Sequence, residues 1–298
     1  MSEVETGNAA ITQVKKDVVS RMAPEWPSWS VGALEAALLD RFPATDAESW
    51  DRTGLLAGDP LQEVTGVAVA LDPTVKAVRA AKARGANVLV THHPAFLEPP
   101  ASFMPLECGA YGPESVVWEA ISSGVALMNF HTTLDVSTEA AYMLPGFLGL
   151  DLVSILEPVT EDGRGYGQVC CIRREDEPMT LRNLAARCLS VFGRPGRIWG
   201  SPEKRIDTVV TCTGSAGSLI DVCAAQGIDC IICGESRYHN VLAATEAGLA
   251  VIELGHDVSE LPLCAILAQA IASMGYPEGD VTILDQGFNW FTPEAVRK

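Results

Sequence analysis

The chain of 298 residues has five histidines, and most of them follow apolar runs of the kind that form buried strands. Those at such strand ends are His92, His93, His131 and His256. Ligand sites in open parallel sheets form outside the carboxyl ends of the strands. The placement of these imidazoles therefore favours a shared chemical site.

Two carboxylates accompany the histidines at helical spacing. Asp135 follows His131 by four residues and Glu260 follows His256 by four, which places each pair on one face of a helical turn. Imidazole with carboxylate oxygen suits Zn, Mn, Fe or Co, and a carboxylate has two oxygens with which to bridge two cations. The sequence therefore indicates a metal site.

The adjacent His92 and His93 leave their strand on opposite sides, so they can serve two ions, or one ion and its surroundings. His131 is either a ligand or a hydrogen-bond partner beside the ligands. A lone histidine is usually a satisfied surface or core group, which is the expectation for His239.

Two other kinds of site are weaker alternatives. Ser215 and Ser218 lie in a Gly-Ser loop at a strand end, but no G-x-S-x-G elbow surrounds them. The same loop, residues 213–217, could instead present backbone N–H groups to an anion. Neither pattern is as specific as the histidine and carboxylate set.

The order of the elements predicts an α/β fold with parallel strands. Strands are predicted at 64–71, 87–91, 125–130, 169–173, 207–212, 229–233, 249–254 and 281–284. Helices are predicted at 31–41 (capped by Ser30), 73–84, 114–123, 180–192, 218–226, 237–247 and within 257–274.

An internal match suggests two related lobes that face each other across the site. Residues 65–94 align with residues 207–236 without a gap, so that Val67 matches Val209. The polar residues after the strands match as well: His92 and His93 with Gly234 and Glu235, and His131 with His256.

We expect residues 1–29 to be an N-terminal extension and residues 30–298 to form one domain. The first lobe is predicted at about 30–136 plus 249–298, and the second at about 137–248.

Composition excludes two classes of partner. The net charge of −17 and the lack of a basic run argue against nucleic acid and against anionic membrane surfaces. The apolar stretch at 261–276 is too short to span a bilayer and predicts a buried helix.

Nine cysteines without a secretion signal predict free thiols and a cytoplasmic location. Cys230 and Cys233 form a CxxC, but residues three apart on a strand face opposite sides of the sheet. They are therefore expected to be buried structural thiols.

An ordered set of motifs resembles the Nif-three-like family, whose bacterial members are often labelled GTP cyclohydrolase 1 type 2 homologues. The motifs are WDRTGLLAGD at 50–59, Leu71-Asp72, THHP at 91–94, HTTLD at 131–135, Gly234-Glu235, and Gly255-His256 with Ser259-Glu260. The resemblance extends from Ser30 to the C-terminus.

The resemblance implies two divalent ions per chain, as Zn, Fe, Mn or Co, held between two α/β lobes of a toroidal homohexamer. The implied ligands are His92, His93, Asp135, His256 and Glu260. Glu260 is the implied bridge, and His131 is expected beside the site.

The resemblance and the ligand types together suggest a metal-dependent hydrolase of a nucleotide or phosphoester, with His131 or Glu235 as general acid or base. A non-catalytic metal-binding, regulatory or interaction protein is the alternative. Asp257 departs from the family pattern, and we expect it to add negative charge near the cations.

Overall fold

The computed structural model of the protein describes residues 30–275, 280–287 and 289–290. These residues form two β-sheets flanked by helices, which confirms the predicted α/β class. The predicted extension at 1–29 lies outside the described residues. No helix in the described ranges is long and apolar enough to cross a membrane.

Each predicted strand and helix overlaps one in the structure. The strands are β1 (Gly54–Ala57), β2 (Val67–Ala70), β3 (Val88–Thr91), β4 (Ala126–Asn129), β5 (Leu150–Pro158), β6 (Gly165–Ile172), β7 (Arg197–Trp199), β8 (Thr208–Thr211), β9 (Cys230–Cys233), β10 (Ala250–Glu253) and β11 (Val281–Ile283). The helices are α1 (Val31–Arg41), α2 (Val75–Ala83), α3 (Pro113–Ser123), α4 (Thr132–Asp135), α5 (Thr138–Leu148), α6 (Leu181–Phe192), α7 (Leu219–Gln226), α8 (Tyr238–Glu246), α9 (His256–Glu260) and α10 (Leu263–Ser273). Short 3₁₀ turns occupy Ala44–Asp46, Leu106–Cys108 and Arg174–Asp176.

The first sheet has the spatial order β1-β4-β3-β2-β11, and the second has the order β5-β6-β8-β9-β10-β7. In each sheet three central strands run parallel and are buried, while an antiparallel strand, β1 or β7, closes one edge. Strands with both faces covered read as continuous apolar runs, which is why the sequence pattern located them.

The two sheets repeat the same register. Val67 of β2 lies opposite Val88 of β3, and Val209 of β8 lies opposite Cys230 of β9. These are the pairs that the sequence match of residues 65–94 with 207–236 predicts. The carboxyl ends of the central strands therefore occupy equivalent places in both lobes.

The predicted division between the lobes differs from the structure at two places. Residues 137–248 were assigned to the second lobe, but Ala140, Met143 and Leu144 of α5 pack in the core of the first. Residues 249–298 were assigned to the first lobe, but β10 hydrogen bonds within the second sheet. The chain returns to the first lobe only with α10, which packs in its core, and β11, which pairs with β2. The helix α9 lies at this crossing.

Strands β1, β5 and β7 have no counterpart among the predicted elements. β1 and β7 have only four and three residues, and most of β5 is partly or fully exposed. Such strands carry neither a long apolar run nor a clear alternation of buried and exposed residues. Their pairing depends on the neighbouring strand and not on their own sequence.

Helix α10 packs in the core of the first lobe. The predicted burial of the stretch that begins at residue 261 is confirmed, since Leu263, Leu267 and Ile271 are fully buried on one face of this helix.

Leu267→Ala should lower the free energy of unfolding by about 2–5 kcal/mol, because it leaves a cavity in a packed core. Chemical denaturation measures this change. Gln269→Ala, on the exposed face, is the control and should change little.

Candidate metal centre

Strand β3 delivers two histidines to the carboxyl end of the first sheet. His92 is fully buried, and the side chain of His93 is about one-fifth exposed. Thr91, the last residue of the strand, fixes this end by donating from its hydroxyl to the carbonyl of His93 at 2.7 Å. The neighbouring strand β4 ends at the same edge, just before His131.

His131 and Asp135 bracket the single turn of α4. His131 occupies the N-cap position, and the Asp135 N–H donates to the His131 carbonyl at 3.1 Å. The predicted helical spacing is therefore confirmed. Thr213 of the second lobe donates from its hydroxyl to Asp135 Oδ1 at 3.2 Å, so the carboxylate lies between the lobes.

His256 and Glu260 lie on α9, where the chain crosses from the second sheet to the first. The Nε2 atom of His256 lies 3.1 Å from Glu260 Oε2, as expected for residues four apart on a helix. A Cβ at Gly214 would overlap Glu260 Oε1, so only glycine lets the second lobe approach this carboxylate.

The predicted ligands all meet at this point. Three groups have ligand atoms that lie within 4.8 Å of one another: His92 with His93 and His131, His93 with His256 and Glu260, and His92 with Asp135 and Glu260. Glu260 belongs to two of the groups. Its Oε2 lies 3.0 Å from His93 Nε2, while its Oε1 lies 3.7 Å from His92 Nε2.

The environment of His92 fits a cation. Its buried Nε2 has no hydrogen-bond partner within the described part of the chain, and it lies 3.7 Å from oxygens of both Asp135 and Glu260. That separation is too long for a normal hydrogen bond. It suits ligand atoms that share one ion at about 2.0–2.2 Å each.

Each of the four imidazoles is held through its Nδ1 atom, which leaves Nε2 for the centre. The Nδ1 partners are the Phe130 carbonyl for His92 at 3.2 Å, Asp72 for His93 at 2.8 Å, Asp51 for His131 at 3.1 Å, and Glu235 for His256 at 3.1 Å. Oxygen acceptors in this position orient metal-binding histidines and fix their tautomer.

Two of these orienting carboxylates, Asp51 and Asp72, belong to motifs noted in the sequence, but no role was predicted for them. Asp72 follows β2, the neighbour of β3, so its position after a strand could have indicated its role. Asp51 comes from the loop before β1 and also accepts from the N–H and the hydroxyl of Thr132 at 3.0 and 2.5 Å. Its contribution depends on how that loop folds over α4.

A cavity of about 530 Å³ opens beside the centre. Asp135, His256 and Glu260 form part of its lining, and Trp50 and Tyr166 provide aromatic walls from the first and second lobe. A small molecule in this space would therefore lie next to the predicted ligands.

The chain matches a known protein family over most of its length. Residues 30–284 match the family model described as Duf34/NIF3, NGG1p interacting factor 3. The chain belongs to the DUF34/NIF3 family.

Relatives named GTP cyclohydrolase 1 type 2 homolog include one from Streptomyces coelicolor, which is 35% identical over 76% of this chain and 79% of its own length. A Clostridium acetobutylicum relative of the same name is 28% identical over 78% of this chain and 85% of its own length. A Staphylococcus aureus hypothetical protein of known structure superimposes with a TM-score of 0.77 at 25% identity, covering 89% of this chain and 99% of that one.

Asp257, His239 and the cysteines of β9 lie outside the ligand set of this DUF34/NIF3 centre. Asp257 accepts from Arg194 at 3.1 Å, so its charge is paired rather than added to the centre as expected. His239 is exposed, stacks edge-on against Tyr238 and belongs to none of the possible ligand groups found among the described residues. Cys230 and Cys233 are buried in different cores on opposite faces of β9, as predicted.

The loop at 213–217 contributes packing to the centre. Ser259 accepts the Gly214 N–H at 2.9 Å, and the Ala216 N–H donates to the Glu235 carbonyl. Within the described ranges, neither Ser215 nor Ser218 has a hydrogen bond to a histidine, which a serine nucleophile would need.

Protonation of the centre is dominated by the close carboxylates. Burial opposes a charge on His93, but its interactions with Asp72 and Glu260 outweigh this and raise its pKa to about 10. Glu260 also raises the pKa of His256 to about 9, against burial. Burial would raise the pKa of Glu260, yet the surrounding histidines hold it well below its usual range. Burial raises the pKa of Asp135.

Asp72→Asn should lower the pKa of His93, because an amide cannot stabilise the imidazolium as a carboxylate does. A pH titration of the histidine proton signals by NMR, in protein treated with a chelator, measures this value. Glu203→Gln, a surface change in the pair with Arg182, is the control. A pKa near 10 in the Asp72 variant would contradict the assignment.

Proposed function

We propose that this protein binds two divalent cations and is a metal-dependent hydrolase of a nucleotide or phosphoester. One observation carries the proposal: the two oxygens of Glu260 face different ligand sets. Oε1 faces His92, and Oε2 lies at 3.0–3.1 Å from His93 and His256. A carboxylate placed in this way can hold two ions side by side.

The proposed ligands of one ion are His92, Asp135 and Glu260, and those of the other are His93, His256 and Glu260. Imidazole and carboxylate ligands suit Zn, Fe, Mn or Co. When bound, two such ions would supply a water nucleophile at neutral pH and positive charge to stabilise the attacked group.

His131 is the proposed general acid or base. Asp51 holds its Nδ1 atom, so the opposite ring nitrogen is available to exchange a proton with a molecule in the cavity that His131 lines. Its ring centroid lies 5.1 Å from that of His92. Glu235 contacts His256 instead, so we now assign it the positioning of that imidazole.

The relatives support the choice of substrate class only through their name, GTP cyclohydrolase 1 type 2 homolog. The cavity beside the ligands favours a hydrolase over the non-catalytic alternative, because a metal carrier or structural centre has no need of a space for substrate.

A homohexamer and a cytoplasmic location stay predictions. Exposed apolar side chains on and near α3 would suit a contact between subunits. They include Leu97, Phe103, Met104, Tyr111, Trp118 and Ile121.

Glu260→Gln should remove one ion outright, whereas Glu235→Gln should lower metal affinity or activity by about 10–100-fold. The amide of glutamine offers one acceptor oxygen and no negative charge, so it cannot bridge two cations. Glu235 only orients His256, and losses at such positions are typically partial. Metal analysis of both variants under the same loading conditions makes the comparison. Loss of an ion from the Glu235 variant alone would move the bridge elsewhere.

The proposed activity is tested by loading the protein with Zn²⁺ or Mn²⁺ and assaying nucleotides and phosphoesters. We expect about two ions per chain and turnover that His92→Ala abolishes. Metal affinity should rise from pH 6 to pH 9, because the cations must displace protons from His93 and His256. Two bound ions with no turnover of any compound would favour the non-catalytic alternative.

A further inference from the structure

The wall of the cavity that faces the metal centre is built by the hairpin of β5 and β6. Glu157 and Tyr166 are direct partners across these antiparallel strands, so their side chains stand next to each other. Burial, and then the nearby carboxylates with Glu48 of the first lobe foremost, raise the pKa of the Tyr166 hydroxyl.

Two polar groups of this wall are free to bind a ligand. Within the described residues, Glu157 has no hydrogen bond or ion pair. Gln168 is only 6% exposed, and the Thr211 hydroxyl donates to its Oε1 at 2.9 Å, while its amide nitrogen has no protein partner in the same part of the chain. A buried amide is rarely left half-satisfied unless water or a ligand completes it.

Carboxylates outnumber histidines in the lining of the cavity. Glu48, Glu157, Asp135 and Glu260 are among the described residues that line the cavity, and no lysine or arginine is. Cations bound at the centre would offset Asp135 and Glu260 but not the two glutamates of the opposite wall. An anionic group of a substrate that lay against Glu48 and Glu157 would therefore meet repulsion there, and the described part of the lining has no lysine or arginine to offset it.

We propose that the wall formed by Glu48, Glu157, Tyr166 and Gln168 selects substrates whose ring presents N–H donors, and disfavours those that carry a polyphosphate. The inference rests on the proposed function, because it assigns the substrate class of that site. Glu157 accepts from an amino group or ring N–H, and the amide nitrogen of Gln168 donates to a ring carbonyl.

The aromatic side chains fit the same class. Trp50 is half-exposed at the cavity, and its ring centroid lies 5.8 Å from that of His131. A planar heterocycle can stack on such a ring whatever its substituents. The discrimination among heterocycles then comes from Glu157, a partly buried carboxylate of the lining that has no protein partner among the described residues and can accept from a ring substituent.

The test measures equilibrium binding of guanosine, inosine and guanosine triphosphate to the Zn²⁺-loaded full chain. Inosine lacks only the amino group of guanosine. We expect guanosine to bind about ten-fold more tightly than inosine, and the triphosphate to bind no more tightly than guanosine.

Glu157→Gln should abolish the preference for guanosine, while metal content and melting temperature stay as in the unchanged protein. Glu157→Lys should raise the affinity for the triphosphate. Glu161→Gln, in the exposed turn of the same hairpin, is the matched control and should behave as the unchanged protein does.

Equal binding of guanosine and inosine, binding of neither, or a preference that survives Glu157→Gln would each overturn the proposal. So would a triphosphate that binds ten-fold more tightly than guanosine. Failure of the hydrolase assignment is distinct: it would leave the binding preferences and the effect of Glu157→Gln in place, with no turnover of any compound.

Discussion

The buried carboxylate of Glu260 sets the arrangement of the molecule around it. An ionised carboxylate is costly to bury unless charges or hydrogen-bond donors surround it. Here three imidazoles from both lobes point at its two oxygens. These imidazoles can reach Glu260 only if α9 lies where the chain crosses from the second sheet to the first lobe. The same crossing therefore connects the lobes and forms the centre.

The two lobes share their strand register but contribute different residues to the centre. The place held by His92 and His93 in the first lobe belongs to Gly234 and Glu235 in the second. At Gly234 a Cβ would overlap the Gly214 carbonyl and the Ser259 hydroxyl. No imidazole fits there, so the second lobe contributes through α9 and through the loop that closes against Glu260.

Negative charge is concentrated both in the chain as a whole and around the metal centre. The chain carries a net charge of −17, and carboxylates hold three of the four imidazoles of the centre through Nδ1. Bound cations would compensate this concentration of negative charge. The pairing of Asp257 with Arg194 keeps one further carboxylate out of that balance.

Sequence alone determined the α/β class and the central strands, because buried parallel strands leave continuous apolar runs. It also determined that His256 lies beside Glu260, because the two are four residues apart on a helix, while the resemblance of the motifs to a known family implied the set of five ligands. It also revealed the internal match, whose register the pairing of β2 with β3 and of β8 with β9 reproduces. Only the tertiary structure decided that β10 belongs to the second sheet, that Asp51 and Asp72 orient histidines, and that Glu157 and Gln168 face the centre. These relations join residues far apart in the chain, and such contacts depend on how whole elements pack and leave no local pattern in the sequence.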